Sequence, residues 1–164
     1  LYPTSVLVGE GASSESVGIA FAGPDQDQDT GSKVIHAASN TKSVIIAKSI
    51  SRTGCSSYRG LVKVMPSATN VSSTVQCDAL LMDGGQTKTY PYMQVAQKDV
   101  KVSHEATVSR VNDEQVRYLQ SRGLSEDDAR KYIVSGFVEP IVRSMPLEYA
   151  VELNKLIELE VTGL

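Results

Sequence analysis

The chain has 164 residues, enough for one domain with a modest appendage. At 41% hydrophobic and 21% charged it has an ordinary globular composition, and with no Trp and two Phe its core must be aliphatic. A net charge of −3 gives no support for nucleic-acid binding, and no apolar run approaches the roughly 18 residues of a membrane span.

The charge is uneven. Residues 1–110 carry ten Lys/Arg and nine Asp/Glu, whereas residues 111–164 carry six and ten. An acidic tail on a near-neutral body hints at a partner-facing region, although a solvated helix face explains it as well. Cys55 and Cys77 are too few for a disulfide framework, so a reducing compartment, the cytoplasm, is expected. The first residue sits mid-pattern, as in a fragment.

In chain order, 1–9 reads as a strand closed by Gly9-Glu10-Gly11, and 16–22 as a second strand. Residues 23–32 read as a polar loop in which Asp25, Asp27 and Asp29 alternate with Gln. Three carboxylates could hold a hard cation, but the calcium-loop Gly and terminal Glu are missing, which favours an exposed turn. Strands follow at 33–38 and 43–50. Residues 52–57 read as a loop holding Cys55. Further strands are expected at 58–65, 74–82, 89–95 and 99–110, with Asp83-Gly84-Gly85 as a turn. In the last strand Val100, Val102, His104, Ala106 and Val108 share one face, and Lys101, Ser103, Glu105 and Thr107 share the other.

At Asn112 the apolar period changes from 2 to 3.6. Asn112 and Gln115 form a capping-box pattern, and Gly123 ends that helix. Ser125 opens a second helix that should stop near Gly136, with Pro140 starting a short turn. Pro146 opens a third helix running to the end of the chain. Three helices are expected, and the domain division is 1–110 followed by 111–164.

The strand region repeats. Ala12, Ala38, Ala68 and Ala96 each lead a small polar corner into an alternating apolar run. A unit near 28 residues built only from short strands suits one coil of a parallel β-helix, each coil stacking about 4.8 Å from the last. Counting nine on from each Ala reaches Phe21, Ala47, Cys77 and Glu105. In that register Cys77 and Glu105 are vertical neighbours, with His104 as the fallback if the register slips by one.

A free mid-strand Cys is more often a small core hydrophobe than a ligand. A carboxylate stacked on Cys77, with an imidazole beside it, would nevertheless suit iron or sulfane sulfur, because thiolate supplies the soft ligand. A full cluster wants four ligands, so a partner chain would have to supply the rest. A lone His on an apolar face, as at His104 and His36, is more often a satisfied interior residue. Cys55 reads as an unremarkable exposed thiol. No GxxxxGK[ST] loop and no nucleophile elbow are present.

Several runs carry a family likeness: Lys33-Val34-Ile35-His36-Ala37-Ala38-Ser39-Asn40-Thr41, Ser57-Tyr58-Arg59-Gly60-Leu61-Val62-Lys63, Gln76-Cys77-Asp78, Thr89-Tyr90-Pro91-Tyr92, His104-Glu105-Ala106-Thr107-Val108-Ser109-Arg110 and Leu147-Glu148-Tyr149-Ala150-Val151-Glu152. In this order, over nearly the whole chain, they resemble the SufB/SufD family of iron–sulfur cluster assembly proteins, SufB-like more than SufD-like. The resemblance implies a mainly β fold, a right-handed parallel β-helix followed by a C-terminal α-helical region. It implies a non-enzymatic scaffold working with a SufD-like partner or a second copy through the β-helix. It also implies a SufC-like ABC ATPase docked on the C-terminal helices, and a transient iron–sulfur cluster at a subunit interface. Cys77 matches the cysteine tied to cluster assembly, and Glu105 the nearby glutamate, with His104 beside it. Cys77 and Glu105 are thus the candidate metal ligands. Family members are much longer, so the chain resembles their C-terminal part. Where many members have Gln-His-Gln-Asp, this chain has Gln26-Asp27-Gln28-Asp29, which removes one imidazole. The alternatives are a SufD-like structural partner without cluster chemistry, and a β-helix enzyme acting on polysaccharide. The second would want aromatic platforms and paired carboxylates.

Overall fold

A computed structural model describes residues 1–162. Eight strands precede three helices: β1 Thr4–Leu7, β2 Ser13–Ala22, β3 Asp27–His36, β4 Lys42–Arg52, β5 Cys55–Val64, β6 Val71–Met82, β7 Gln86–Val95 and β8 Val100–Arg110, then α1 Asp113–Ser121, α2 Glu126–Val142 and α3 Leu147–Thr162. The strands form two four-stranded parallel sheets, β1-β3-β5-β7 and β2-β4-β6-β8. Each coil gives one strand to each sheet, so the chain winds through about four turns of a parallel β-solenoid.

Alternation decides what lies inside. In β6 the odd positions Val71, Ser73, Val75, Cys77 and Ala79 are buried, while Thr74 and Gln76 are exposed. Between the sheets Leu7, Val34, Ile45, Tyr58, Val62, Val75 and Cys77 form the interior core. A second core lies on the outer face of the even sheet. There Ile50, Leu80 and Met82 pack against Val134 and Val138 of α2 and Ile157 and Val161 of α3. This is why Ile50 and Leu80, on opposite parity to the interior residues, are still buried.

Two stretches expected to be loops are largely strand. Asp27 and Asp29 lie on the outward face of β3, and Asp29 accepts from Tyr2 and pairs with Arg59 at 3.2 Å. Only residues 23–26 turn there, with Asp25 at φ +56°. Cys55 opens β5 instead of sitting in a loop. The two-residue turn of Thr53 and Gly54 before it suffices because Gly54 packs its Cα against the Gly23 carbonyl, where a Cβ would come within 2.2 Å.

The helices start where expected. The Asn112 side chain accepts from the Gln115 amide at 2.8 Å, Gln115 reaches back to the Asn112 amide, and Ser125 accepts from the Asp128 amide at 3.1 Å. Gly123, at φ +97°, follows the end of α1. The expected stop near Gly136 does not occur, because α2 continues to Val142 with Pro140 inside it. Val134, Val138 and Ile141 are buried at helical spacing across that point, so packing overrides the propensities of Gly136 and Pro140.

Candidate functional site

The corners set the register. The four corners that lead into the even strands span residues 8–12, 37–41, 65–70 and 96–99. They hold five, five, six and four residues, so counting from the leading Ala drifts between coils. Three of the four share a residue in the left-handed region just before the strand: Gly11 at φ +74°, Asn40 at +58° and Asn70 at +52°. These stack. Asn70 Nδ2 donates to Asn40 Oδ1 at 2.6 Å, Asn40 Nδ2 donates to Glu10 Oε1 at 2.8 Å, and the Asn70 amide donates to the Asp99 carbonyl at 2.8 Å. Seven on from Gly11, Asn40, Asn70 and Asp99 stand Gly18, Ala47, Cys77 and Ala106, the observed column.

Cys77 therefore pairs with Ala106, and Glu105 pairs with Gln76. The expected stacking of Cys77 on Glu105 is off by one, which in a strand reverses the face. Cys77 points into the solenoid and is 5% exposed, whereas Glu105 is on the outer face. His104 pairs with Val75, one inward position along from Cys77, so it is not a vertical neighbour of the thiol either. It does share the interior face. Two residues of strand rise and one interstrand step put the two Cα atoms about 8 Å apart. Among the described residues His104 Nε2 is buried without a hydrogen-bond partner. His104 is thus not the satisfied interior imidazole that composition alone favours.

Cys77 shares a cavity of about 130 Å³ with Gly18, Ala47, Tyr58 and Ala79, and the cavity reaches Leu1 and Pro3. Burial, and secondarily the Asp78 carboxylate, push the Cys77 thiol up to about 11. At neutral pH it is a protonated, weakly nucleophilic thiol. Nearby, Ser32 Oγ and Tyr58 Oη are hydrogen-bonded at 3.0 Å.

The outer face behind Cys77 carries a linked polar set that composition did not suggest. Lys48 Nζ donates to Asp78 Oδ2 at 3.1 Å, Gln76 Nε2 donates to the same oxygen at 2.9 Å, and Lys48 lies 4.3 Å from the centre of the Phe137 ring of α2. Both ends of the ion pair are nearly enclosed, with side-chain exposures of 11% and 12%. Glu105 sits across from Gln76 on this face. Among the described residues no three His, Cys, Asp or Glu side chains gather as a metal-holding group. One chain thus brings a thiol and an imidazole into one interior and puts the carboxylate on the other side of the wall.

A family model described as the SUF system FeS cluster assembly, SufBD core domain, matches residues 1–137. The chain belongs to the SufBD family. Relatives described as iron–sulfur cluster assembly SufBD family proteins come from Mycobacterium bovis and Mycobacterium leprae, each 52% identical over 99% of this chain and 19% of the relative. Another, from Staphylococcus haemolyticus, is 48% identical over 99% of this chain and 35% of its own length. The chain thus spans between a fifth and about a third of these curated relatives. The SufBD family match reaches past β8 into α2, so it takes in the solenoid and the first helices together. No helix among the described residues is long and apolar enough to cross a membrane.

Proposed function

We propose that this chain is a scaffold portion for iron–sulfur cluster assembly, SufB-like in its site, with no reaction of its own. The observation that carries the reading is the SufBD core match together with Cys77 and the unpartnered His104 facing one interior. Cys77 serves as thiolate ligand or sulfur carrier, and His104 as the adjoining imidazole donor. Glu105, outside the wall, serves as an iron ligand or proton manager toward a partner chain. The cluster is cargo, held transiently where two subunits meet, and its remaining ligands come from the second subunit.

The thiol must first become a thiolate. Burial and Asp78 oppose this, so assembly has to expose Cys77 or bring a cation to it. In this reading the exposed last coil, with Tyr90, Tyr92 and Val108 uncovered, receives a SufD-like partner or a second copy. The helices of 111–164, with Leu147, Tyr149, Val151 and Leu156 exposed on α3, receive an ABC-type ATPase, which supplies the energy. The working location is the cytoplasm. Residues 1–110 and 111–164 are taken as the cargo-facing and partner-facing units.

The test is Cys77→Ser in the full-length protein with its partners, reading iron and acid-labile sulfide after reconstitution. Loss of both supports the assignment; unchanged contents remove Cys77 from the site. A SufD-like structural role without cluster chemistry predicts the unchanged result for Cys77→Ser and His104→Gln alike.

A further inference from the structure

His36 is completely buried in the solenoid interior, and both of its ring nitrogens are engaged. Nδ1 lies 2.8 Å from Thr41 Oγ1, and Nε2 lies 3.0 Å from Ser43 Oγ. Each hydroxyl has a second partner. Thr41 Oγ1 donates to the Ala38 carbonyl at 3.0 Å, and Ser43 Oγ lies 2.8 Å from Ser73 Oγ. A hydroxyl has one proton to give. With its proton on the Ala38 carbonyl, which can only accept, Thr41 accepts from Nδ1–H. The Ser43–Ser73 contact fits either hydroxyl as donor: with Ser43 donating to Ser73, Ser43 accepts from Nε2–H, and with Ser73 donating to Ser43, Ser43 can donate to Nε2. The first arrangement fits a ring protonated on both nitrogens, and the second fits a neutral ring carrying its proton on Nδ1.

Burial favours the neutral ring. It alone lowers the pKa of His36 below the ordinary imidazole value. With the Thr41 proton kept on the Ala38 carbonyl, the neutral ring needs a donor at Nε2, and the Ser43 hydroxyl is placed to supply it. Ser43 then turns its proton away from Ser73, and Ser73 has to donate back if the contact is kept.

We propose that His36 is a buried proton-binding site, and that proton uptake reverses the Ser43–Ser73 hydroxyl chain joining β4 to β6. The chain links adjacent coils, because Ser43 and Ser73 are register partners two pairs before Ile45 and Val75. The strands packed about His36 offer no competing charge, and the other interior imidazole, His104, lies on β8, two strands beyond β4 in the even sheet. On the strands packed about His36, inward parity gives Ser5 and Leu7 on β1 and Tyr58, Val62 and Val64 on β5. On the even strands it gives Ser14 and Ser16 on β2, Ser43 and Ile45 on β4, and Ser73, Val75 and Cys77 on β6. Tyr58 and Cys77 are the titratable members, and burial holds both protonated and neutral at pH 7. Hydroxyl orientation is thus what balances the buried imidazolium, and the device rests on no assumption about cluster chemistry.

The experiment is a pH series of ring 15N and 13C NMR spectra of the 164-residue chain, with His104→Gln used to assign the two imidazoles. In the neutral form the proton should sit on Nδ1, because Thr41, donating to Ala38, accepts there. On acidification Nε2 should gain its proton while the fold persists. In Ser73→Ala, Ser43 has no acceptor except Nε2 for its proton, so the neutral ring gains and the midpoint should fall by about 0.5–1 pH unit. A neutral tautomer carrying its proton on Nε2 would overturn the proposal in the wild-type chain alone. So would an unmoved midpoint in Ser73→Ala, or an Nε2 that stays bare until the protein unfolds.

Discussion

Cys77 should react slowly with alkylating reagents, and the delay can be sized. With its pKa at about 11, the thiol at pH 8 is ionised to roughly one part in a thousand. An ordinary exposed thiol, near 8.5, is about one quarter ionised at the same pH. That is a deficit of roughly 200-fold in reactive anion. The more basic thiolate is the better nucleophile, by about tenfold for this difference, which leaves a net slowing of about 20-fold. Enclosure multiplies this, because Cys77 is 5% exposed and an alkylating agent must wait for local opening. The assay is iodoacetamide labelling at pH 8 followed by peptide mass spectrometry, with Cys55 on the outer face of β5 as the internal reference. Cys77 should be modified at least about 20-fold more slowly than an unstructured cysteine peptide, and urea should abolish the difference. Labelling of the folded chain within threefold of the peptide would refute the reasoning about burial and charge.

Three further outcomes follow from the packing. Lys48→Met strands the Asp78 carboxylate in a nearly closed site, so urea unfolding should show a loss of about 3 kcal/mol, most of it recovered in the double variant Lys48→Met with Asp78→Leu. A Cβ at Gly31 would lie 1.9 Å from the Arg59 carbonyl oxygen, so Gly31→Ala has to pry β3 from β5 and should cost about 3 kcal/mol or more, whereas Gly18→Ala, with nothing within 4 Å, should stay within about 0.5 kcal/mol by the same measurement. Burial lowers the folded-state pKa of His36, so the unfolded chain binds the extra proton first; the denaturation midpoint should hold above about pH 6.5, fall as the pH drops toward the folded-state value, and fall less in His36→Gln.

The coils, the strand parity and the helix starts were legible in the chain because each rests on local chemistry: alternation in β6 and β8, Asn112 with Gln115, and Ser125 before Asp128. The site register was not, because it depends on corner length, which varies from four to six residues while the strands hardly change. The better marker was present as Gly11, Asn40 and Asn70, residue types that tolerate a left-handed backbone, yet Ala is commoner and drew the alignment. The extent of α2 was hidden for a different reason. Gly136 and Pro140 argue locally for a stop, and only the apolar wall of Ile50, Leu80 and Met82 outweighs them.

The wall between Cys77 and Glu105 is one peptide layer thick. Inside it lies sulfur, outside it lies carboxylate, and the two surfaces meet along the uncovered rim of β8. A body approaching that rim edge-on meets the strand that carries His104 toward the inside and Glu105 toward the outside, with the sulfur one strand behind, while one approaching either broad side meets a single kind of donor.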